Sequence, residues 1–419
     1  MSEAAFDVVI VGGGMVGASL AVALAPLKLR IALIEAVPYD CDDQPSFDER
    51  TTALSNGSRR VLDTLGIWGG IASQASPIKK IHISDRGRFG FARIDAQEQN
   101  LAAIGYVMPN RVLGSALWSR IAAEPVLRVF CPAQVRRIAI EPDRVTLEVI
   151  ARDGARTALS TRLIVAADGA QSAVRKAFGV DADVTDYRQT AVITTVMPQQ
   201  FHQYTAYERF TSEGPLALLP LNEGRCTLVL TLDPERAKAA MTWPDDAFLA
   251  KLQARFGFRL GRFLKVGRRV AYPLSLTKSL QTSAGRCVII GNAAQGLHPI
   301  AGMGFNLGLR DAACLAELLA DQCSAARRGN AADGPGILDC GEAALLARYD
   351  EWRAGDRRGI IGFTDGLVRL FSNPLGAVRH IRNMGLLAFD LMPPAKSALS
   401  RLSTGTARAS KLSRGVPLT

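Results

Sequence analysis

Residues 6–24 read FDVVIVGGGMVGASLAVAL and carry the clearest structural motif of the chain. The apolar first half of this stretch predicts a buried strand, and a helix-forming run follows three consecutive glycines. Gly12, Gly14 and Gly17 fit the spacing GxGxxG directly after the strand. In such a loop one glycine makes the tight turn, the next lets the backbone approach a pyrophosphate, and the third lets the helix pack on the sheet. The stretch therefore predicts a dinucleotide-binding loop, with a glycine-rich packing turn as the alternative.

A second strand supports the dinucleotide site. RIALIE, residues 30–35, is apolar and ends on Glu35, 18 residues after Gly17. A carboxylate at this place accepts hydrogen bonds from an adenosine ribose and disfavours a 2′-phosphate. We therefore expect FAD or NAD at this loop and not NADP, and the motif alone does not separate the first two.

The composition of the 419 residues, 48% hydrophobic and 21% charged, indicates a globular protein with room for two domains. The seven cysteines form no CxxC pair and there are only four histidines, so we expect reduced thiols and no metal site. The first 27 residues contain no Lys or Arg, which argues against a secretory signal. No stretch approaches the ~20 apolar residues that cross a bilayer. We expect a protein that is neither secreted nor transmembrane.

The net charge of +11 is concentrated near the C-terminus. From Arg353 onward the chain carries eleven Lys or Arg and three Asp, which gives eight of the eleven net charges. Because this segment is also apolar at helical spacing, it is expected either to form a solvated basic surface or to face anionic lipid heads. No nucleic-acid-binding motif accompanies the charge, so nucleic acid is not an expected partner.

Two later segments repeat the order of strand, turn and helix. RLIVAADGAQSAVRKAFGV, residues 162–180, carries Asp168-Gly169 after the strand, which alone is compatible with an ordinary turn. CVIIGNAAQGLHPIAGMGFNLGLRDAACLAELLA, residues 287–320, has a long Gly/Pro loop between its strand and its helix. Together with the first loop, these segments resemble the flavin aromatic hydroxylases, whose fold is that of p-hydroxybenzoate hydroxylase. The last segment resembles more narrowly the FAD-dependent ubiquinone-biosynthesis hydroxylases, especially the branch that acts on 2-polyprenyl-6-methoxyphenol.

The resemblance covers nearly the whole chain. FDERTTALSNGSRRVLDTLGIW (47–68) and YVMPNRVLGSALW (106–118) are similar to helix starts of that family. YDEWRAGDRRGIIGFTDGLVRLFSN (349–373) and GLLAFDLMPPAKSAL (385–399) are similar to its C-terminal region. The family therefore provides an expectation for the cofactor, the reaction and the individual site residues.

Strand-rich segments between the three motifs predict a second sheet. KIHISDRGRFGFARI (80–94) and ALLPLNEGRCTLVLTLD (217–233) have the pattern of β-hairpins, and AVITTVM (191–197) that of a strand. We predict an α/β fold with a Rossmann-like FAD-binding domain of the glutathione-reductase type and an inserted, mostly antiparallel β-sheet substrate domain. The predicted boundaries are 1–75, 104–182 and 275–345 for the discontinuous FAD-binding domain, 76–103 and 183–274 for the substrate-binding sheet, 346–400 for a C-terminal helical region and 401–419 for a loose basic tail.

The resemblance implies where FAD would bind. The glycines of the first loop would hold the pyrophosphate, Glu35 the adenosine ribose, and the turn at Asp168 would lie near the pyrophosphate. Arg50 and Arg111 would lie along the cofactor, Arg111 near its phosphate or ribityl part, with a surface salt bridge as the alternative for each. The full set of expected cofactor-binding residues is Gly12, Gly14, Met15, Val16, Gly17, Glu35, Arg50, Arg111, Val135, Asp168, Gly169, Asn292, Pro299, Gly302, Gly304, Phe305 and Asn306.

The loop HPIAGMGFN, residues 298–306, would meet the isoalloxazine ring. Amides near Gly304 at a helix N-terminus would place partial positive charge where reduced flavin becomes anionic. His298 is the candidate catalytic residue, with a structural or flavin-edge role as the favoured alternative. Met303 stands where the family has Gln, and its thioether is only a weak acceptor, so any polar contact made by that Gln would be lost. Asn292 stands where many members have Asp, and its amide still suits a ribityl hydroxyl.

The resemblance implies an FAD-dependent monooxygenase that hydroxylates the aromatic ring of a polyprenylated phenol in ubiquinone biosynthesis. A flavin hydroperoxide formed from reduced FAD and dioxygen would supply the oxygen, with NAD(P)H or another donor as reductant. The alternatives are a flavin reductase or a small-phenol hydroxylase of the same fold, or a non-catalytic lipid-binding subunit of a quinone-synthesis complex. The expected location is cytoplasmic, peripherally on the inner face of the membrane and beside other ubiquinone-synthesis proteins.

Overall fold

The computed structural model describes residues 4–41, 44, 46–48, 50–329, 338–372, 384–385, 388–392, 394, 396 and 409–418. The strands in these residues are β1 (Ala4–Val11), β2 (Ile31–Ile34), β3 (Thr51–Ser55), β4 (Ser76–Ile78), β5 (Lys80–Asp85), β6 (Phe91–Asp95), β7 (Gly105–Pro109), β8 (Leu127–Phe130), β9 (Ala133–Ile140), β10 (Val145–Ala151), β11 (Arg156–Ala166), β12 (Ala182–Pro198), β13 (Thr205–Thr211), β14 (Gly214–Pro220), β15 (Cys226–Leu232), β16 (Phe263–Val266), β17 (Val270–Ser279), β18 (Ser283–Ala284), β19 (Cys287–Ile289) and β20 (Gln295–Gly296). The helices include α1 (Met15–Leu24), α2 (Asn56–Thr64), α3 (Trp68–Ile71), α4 (Asn110–Ala122), α5 (Ala173–Ala177), α6 (Pro234–Thr242), α7 (Asp245–Phe256), α8 (Met303–Gly329) and α9 (Ala343–Ser372).

The first large sheet has the order β18-β19-β11-β1-β2-β8, and its strands from β19 to β8 run parallel. β10 extends the sheet by antiparallel pairing with β11 and β9. In the central strand Val8 and Ile10 pack on α1, α4 and α8, whereas Val9 packs on β10 and β11. Both faces of β1 are therefore buried, which explains its uninterrupted apolar sequence.

The second large sheet is mostly antiparallel and has the order β20-β17-β12-β15-β14-β13-β5-β6. Only the β13–β5 pair is parallel, and β16 pairs with β12. Alternate residues face opposite sides of this sheet, as the pleat requires. Val192, Leu230 and Leu216, which lie side by side in the ladder, pack on α6 and α7. Their neighbours along each strand face the other way, toward the first sheet.

The three-stranded sheet β3-β7-β4 lies beside the junction of the two larger sheets, and α9 packs on α8. The prediction of an α/β fold with an inserted antiparallel sheet and a C-terminal helical region is confirmed. The domain boundaries stay predictions. No helix among the described residues is both long and apolar enough to cross a membrane, and all seven cysteines are free thiols.

The prediction of a loose C-terminal tail is wrong for residues 409–418. Leu412 is buried in the same core as α2 and α8, because an apolar side chain gains by leaving water. The amide of Lys411 donates to Glu317 at 2.6 Å, and its Nζ lies 2.7 Å from Asp321. Residues 401–408 and seven residues of the matched segment 385–399 lie outside the described residues.

Candidate active site

A cleft of about 910 Å³ is lined by residues of both large sheets and by the loops between them. Most of the predicted site residues lie on its wall, which brings together three segments that are far apart in sequence. They are Gly12, Gly14, Met15, Val16, Glu35, Arg50, Val135, Asp168, Gly169, Asn292, His298, Pro299, Gly302, Gly304 and Phe305. Gly17, Arg111 and Asn306 are not part of the lining.

The first glycine loop is shaped by two close backbone approaches. Gly12 has φ +104°, and a Cβ there would lie 2.4 Å from the carbonyl oxygen of Ala167. A Cβ on Gly17 would lie 1.9 Å from the carbonyl oxygen of Gly12, so this residue must be glycine for α1 to pack on the loop. Gly14 is the N-cap of α1 and lines the cleft. The first amides of α1 have no partner within the helix, which suits an anion at this end of the cleft.

Glu35 is held rigidly beside this loop. Its carboxylate accepts hydrogen bonds from the amides of Gly13 and Val37 and is buried. Trp118 Nε1 donates to the carbonyl oxygen of Gly13 at 3.1 Å, and the ring of Tyr39 stacks on Trp118 at 5.5 Å. The contribution of Trp118 to the loop was not predicted, although the tryptophan belongs to the matched NRVLGSALW segment.

The two arginines that were expected along the cofactor differ in position. Arg50 lines the cleft, pairs with Asp48 at 2.7 Å and lies over the ring of Tyr272 at 4.4 Å. Arg111 is exposed on the first turn of α4 and lies outside the lining, so its placement gives no support to a role at the phosphate or ribityl part. The neighbouring Asn110 is buried and lines the cleft instead.

The Asp168-Gly169 turn is fixed to the loop that follows β19. Asp168 accepts a hydrogen bond from the hydroxyl of Ser172, which caps α5. Arg175 Nη1 donates to the carbonyl oxygens of Ala170 at 3.2 Å and Ala293 at 2.6 Å. This buried guanidinium therefore joins the second and third motifs and sets the turn opposite Asn292, which is exposed to the cleft.

Asn306 holds the 298–306 loop in place through its side chain. Its Nδ2 donates to the carbonyl oxygens of Ala53 and Gly302, both at 2.7 Å. Its Oδ1 accepts from the amide of Ser55 at 2.8 Å and the hydroxyl of Ser58 at 2.6 Å. Four hydrogen bonds within the protein use the capacity of the amide, so this side chain shapes the loop and does not extend into the cleft.

His298 is suited to donate a hydrogen bond. Its Nδ1 accepts the amide of Ile300 at 3.2 Å, which places the proton on Nε2. The residue is 2% exposed, Nε2 has no partner among the described residues, and burial lowers the pKa of the imidazole to about 4. At neutral pH the ring is uncharged and neither nitrogen is free to accept a proton. This geometry argues against a catalytic base and fits a donor at the edge of a bound ring.

Met303 faces away from the cleft. It is buried in a cluster with Leu307 and Ile360 of α9, against which Leu297 packs. At this position the side chain joins the start of α8 to α9. The expected loss of a polar contact to substrate or flavin is therefore not found, because the residue does not reach the lining.

The residues present fit an extended dinucleotide carrying a flavin ring. No protein atom lies within 4 Å of a Cβ built on Gly169 or Gly304, and both residues line the cleft. Gly169 has φ +85°, which favours glycine for backbone reasons, whereas the missing side chain of Gly304 is explained by neither backbone nor packing and leaves room on the cleft side. The unpaired amides of α1 and the unpaired Nε2 of His298 provide donors toward the two ends of such a molecule.

Residues 5–333 match the model of the family described as FAD binding domain. The chain belongs to this FAD-binding family. The ubiquinone hydroxylase UbiL of Rhodospirillum rubrum is 36% identical over 98% of this chain and 93% of its own length. The 3-demethoxyubiquinol 3-hydroxylase of Escherichia coli is 30% identical over 93% of this chain and 96% of its own length. The human mitochondrial ubiquinone biosynthesis monooxygenase COQ6 is 26% identical over 95% of this chain and 92% of its own length.

Solved structures share the fold of this FAD-binding family member. The p-nitrophenol 4-monooxygenase PnpA of Pseudomonas putida has a TM-score of 0.75 at 20% identity, covering 95% of this chain and 97% of its own. PqsL of Pseudomonas aeruginosa in complex with 2-aminobenzoylacetate has a TM-score of 0.72 at 20% identity, covering 92% of this chain and 100% of its own. The predicted hydroxylase family, the FAD cofactor and the class of FAD-dependent aromatic-ring monooxygenase are confirmed. Dioxygen and NAD(P)H are the co-substrates typical of that class.

The wall of the cleft opposite the cofactor loops comes from the second sheet and is apolar. It was predicted as a sheet, but its facing residues were not. Those that line the cleft are Ile81, Ile193, Ala206, Tyr207, Glu208, Ala217, Leu219, Thr227 and Val229. One carboxylic acid, Glu208, lies within this surface. The cleft is therefore polar on the side of the FAD-binding motifs and mainly hydrocarbon on the side of the second sheet.

Proposed function

We propose that this monooxygenase hydroxylates the aromatic ring of a polyprenylated phenol in ubiquinone biosynthesis. The observation that carries the proposal is the apolar wall formed by Ile193, Val229, Ala217 and Leu219 next to the 298–306 loop. An isoprenoid phenol is almost entirely hydrocarbon, and its burial against such a wall is favoured by about 25 cal/mol per Å² of apolar surface. The relatives named as ubiquinone hydroxylases and as a 3-demethoxyubiquinol hydroxylase support the same substrate class.

The chain would contribute binding, orientation and exclusion of water. When bound and reduced, FAD supplies an oxygen atom derived from dioxygen to the ring. Gly304 and Phe305 lie on the first turn of the 27-residue helix α8 and line the cleft, so the positive end of this helix favours negative charge nearby. The hydrocarbon wall keeps water from the reacting atoms.

Oxygen incorporation and precursor accumulation test the proposal. Deletion of the gene in the source organism is expected to deplete ubiquinone and accumulate a polyprenyl phenol, measured by mass spectrometry. The wild-type gene should restore ubiquinone, and purified holoenzyme should transfer an atom of ¹⁸O₂ to the prenyl phenol. Persistence of ubiquinone without an accumulated phenol would contradict the proposal. Consumption of NAD(P)H together with a reduced organic product that carries no ¹⁸O would identify a reductase instead.

The basic C-terminal segment does not form a lipid-facing strip where the structure describes it. Arg353 pairs inside the protein with Asp311, Arg357 Nε donates to Gln295 at 2.7 Å, and Arg369 pairs with Asp365 at 2.8 Å. Charges that are committed to protein partners add little attraction to a membrane. Arg353, Arg357 and Arg369 therefore contribute little to a peripheral membrane contact.

We infer that the membrane contact is made by a hairpin surface consisting of Arg86, Arg88, Phe89, Leu391 and Met392. Phe89 at the tip of the β5–β6 hairpin is 96% exposed, and Leu391 and Met392 are 80% and 52% exposed. Asp390 ties residues 388–392 to the edge of β6, since it accepts the amide of Arg93 at 2.7 Å and pairs with its guanidinium at 3.1 Å. Exposed large apolar side chains beside exposed arginines suit the inner, anionic face of a membrane.

Flotation with anionic liposomes tests this surface. The triple variant Phe89→Ser, Leu391→Ser, Met392→Ser is expected to lose most of the liposome-bound fraction while keeping its FAD. The matched control is Val184→Ser with Leu280→Ser, since both residues are exposed and lie at the opposite end of the second sheet. Equal flotation of the two variants and the wild type would remove the hairpin surface from consideration. Contact with other ubiquinone-synthesis proteins stays a prediction.

A further inference from the structure

Glu208 is a carboxylic acid without a partner in the apolar wall of the cleft. No described residue forms a hydrogen bond or an ion pair with it, and its side chain is half-buried beside the cleft. Among the described residues that the second sheet contributes to the lining, Glu208 is the only carboxylic acid. Because Glu208 lines the cleft and has no partner among the described residues, a ligand in the cleft can reach its carboxyl group.

The strand places this carboxyl opposite the loop that carries His298. Ala206 and Phe210 flank Glu208 on the same face of β13. Ala206 belongs to a cluster with Ala53, which would lie 2.9 Å from a Cβ on Gly302. Phe210 packs with Ile300 of the same loop. Ile83, the ladder partner of Glu208, packs against the same cluster, so Glu208 lies beside the start of the 298–306 segment.

Across the sheet the row that contains Glu208 is hydrocarbon. Its ladder partners are Ile83 on β5 and Ala217 on β14, and the row continues through Val229 and Ile193. This row runs from the carboxyl group along the apolar wall. A ligand with one acidic hydroxyl on a hydrophobic body would match it, with the hydroxyl at Glu208 and the body over the row.

The charges near Glu208 do not hold it in the ionised form. Arg209 lies on the other face of the sheet, where it donates to Arg255 and Ser84, and His82 faces the same side as Arg209. Across the cleft His298 is uncharged, and Arg50 is neutralised by Asp48. Burial is therefore the dominant influence and raises the pKa of the Glu208 carboxyl to about 8.

We propose that Glu208 is the catalytic base that takes the proton from the phenolic hydroxyl of the substrate; this rests on the proposed hydroxylation of a prenyl phenol. The phenolic O–H bond breaks, the proton forms an O–H bond with the carboxylate, and the electron pair stays on the phenol oxygen. No electrons pass between the two groups. The phenolate enriches the ring in electron density, which makes its carbon atoms better nucleophiles toward the incoming oxygen atom.

The environment of Glu208 suits this transfer. A base is most effective when its pKa lies near the working pH. The pKa of an ordinary exposed carboxyl lies far below that pH. Ionisation of Glu208 is then required, so turnover should rise as the pH increases through about 8. Nε2–H of His298 is the unpaired donor on the opposite wall and can hold the ring system without competing for the proton.

The first test compares Glu208→Gln with the wild-type holoenzyme. Glutamine keeps the size of the side chain but accepts no proton, so kcat should fall by roughly 10²–10⁴-fold with KM and FAD content nearly unchanged. The rise of turnover through pH 8 should disappear in Glu208→Gln and return in Glu208→Asp. The matched control is Glu235→Gln, the same change at an exposed carboxyl on α6, outside the cleft.

The second test measures protonation of the ligand without turnover. A short-chain prenyl phenol is bound to the oxidised holoenzyme, and the ultraviolet phenolate band is followed against pH. Because glutamine removes the negative charge that ionised Glu208 holds beside the hydroxyl, we expect the apparent pKa of the bound phenol to be about one unit lower in Glu208→Gln than in the wild type. Equal titration curves and equal kcat in the two proteins would overturn the role of Glu208. If the wild type forms no hydroxylated product, the proposed function fails. The titration still shows whether Glu208 interacts with the phenolic hydroxyl of the bound ligand.

Discussion

The carboxylate of Asp311 accepts a hydrogen bond from Nε of Arg353 at 2.8 Å, in an ion pair that is almost wholly buried between α8 and α9. The same carboxylate accepts from Gln295 at 2.6 Å and from the amide of Gly291 at 3.2 Å. One side chain thus links the C-terminal helix to the loop that leads into the flavin-facing segment. The sequence interpretation that counted Arg353 in a surface charge cluster is wrong for this residue.

Replacing Arg353 by Met should destabilise the protein by about 3–5 kcal/mol, because Asp311 would keep a buried charge without compensation. The double variant Arg353→Met, Asp311→Asn should lose less than the sum of the two single changes. Urea unfolding followed by circular dichroism measures both. The matched control Arg358→Met removes an exposed charge five residues further along α9. If Arg353→Met loses no more unfolding free energy than this control, the buried ion pair contributes no more to stability than an exposed charge does.

Gly304→Val should fold normally and bind FAD poorly. Apart from its chain neighbours and the backbone of its own helix, no protein atom lies within 4 Å of a Cβ at this position, so the new side chain meets the cleft. Absorbance of the purified protein and its melting temperature measure the two properties. A Gly304→Val protein with full FAD content would refute the assignment of this residue to the cofactor.

Gly17→Ala should behave in the opposite way, because its Cβ would collide with the carbonyl oxygen of Gly12 at 1.9 Å. We expect a loss of folded, expressible protein or a melting temperature well below the wild type, before any question of FAD binding arises. The pair of variants separates a glycine required by packing from one required by a ligand. Normal melting of Gly17→Ala would mean that α1 can shift away from its loop.

Local patterns predicted the parts of the fold that depend on neighbours in sequence. The hairpin predicted at 80–94 is β5 and β6, and the one at 217–233 is β14 and β15. The glycine loop was predictable because its turn and helix packing need particular residues at fixed spacing. Alternation along each strand also exists in the sequence, but it does not tell which face meets the cofactor.

Contacts between distant segments could not be predicted in this way. Arg175 joins Ala170 to Ala293, and nothing in its local pattern identifies a partner more than a hundred residues away. Glu208 lies in an ordinary polar-apolar strand, and only the packing of its neighbours places it in the cleft. Met303 stands where the family has Gln, so a lost polar contact to substrate or flavin was expected there, yet the start of α8 turns its side chain toward α9.

Met303→Gln, which restores the residue common in the family, should therefore lower stability here without improving FAD binding. The amide would be buried against Leu307 and Ile360 without an evident partner, at a cost of about 1–3 kcal/mol. Thermal unfolding and FAD titration measure the two effects, and Met303→Leu is the apolar control. Tighter FAD binding in Met303→Gln would indicate that the residue at this position can reach the cleft.

His298→Asn should make the free energy of unfolding less sensitive to acid. Burial lowers the pKa of His298 to about 4, from about 6.5 in an unfolded chain, so between these values the unfolded state binds more protons. Stability must then be fully present above pH 6.5 and fall as the pH drops toward 4, by up to about 1.4 kcal/mol per pH unit for this group. Asparagine can keep the acceptor for the amide of Ile300 but cannot titrate, so the wild type should lose more stability than the variant across this window.

His82, whose pKa is also lowered to about 4, stays in both proteins and cancels in the comparison. Parallel stability curves from urea unfolding between pH 4 and 7 would mean that His298 becomes protonated in the folded protein.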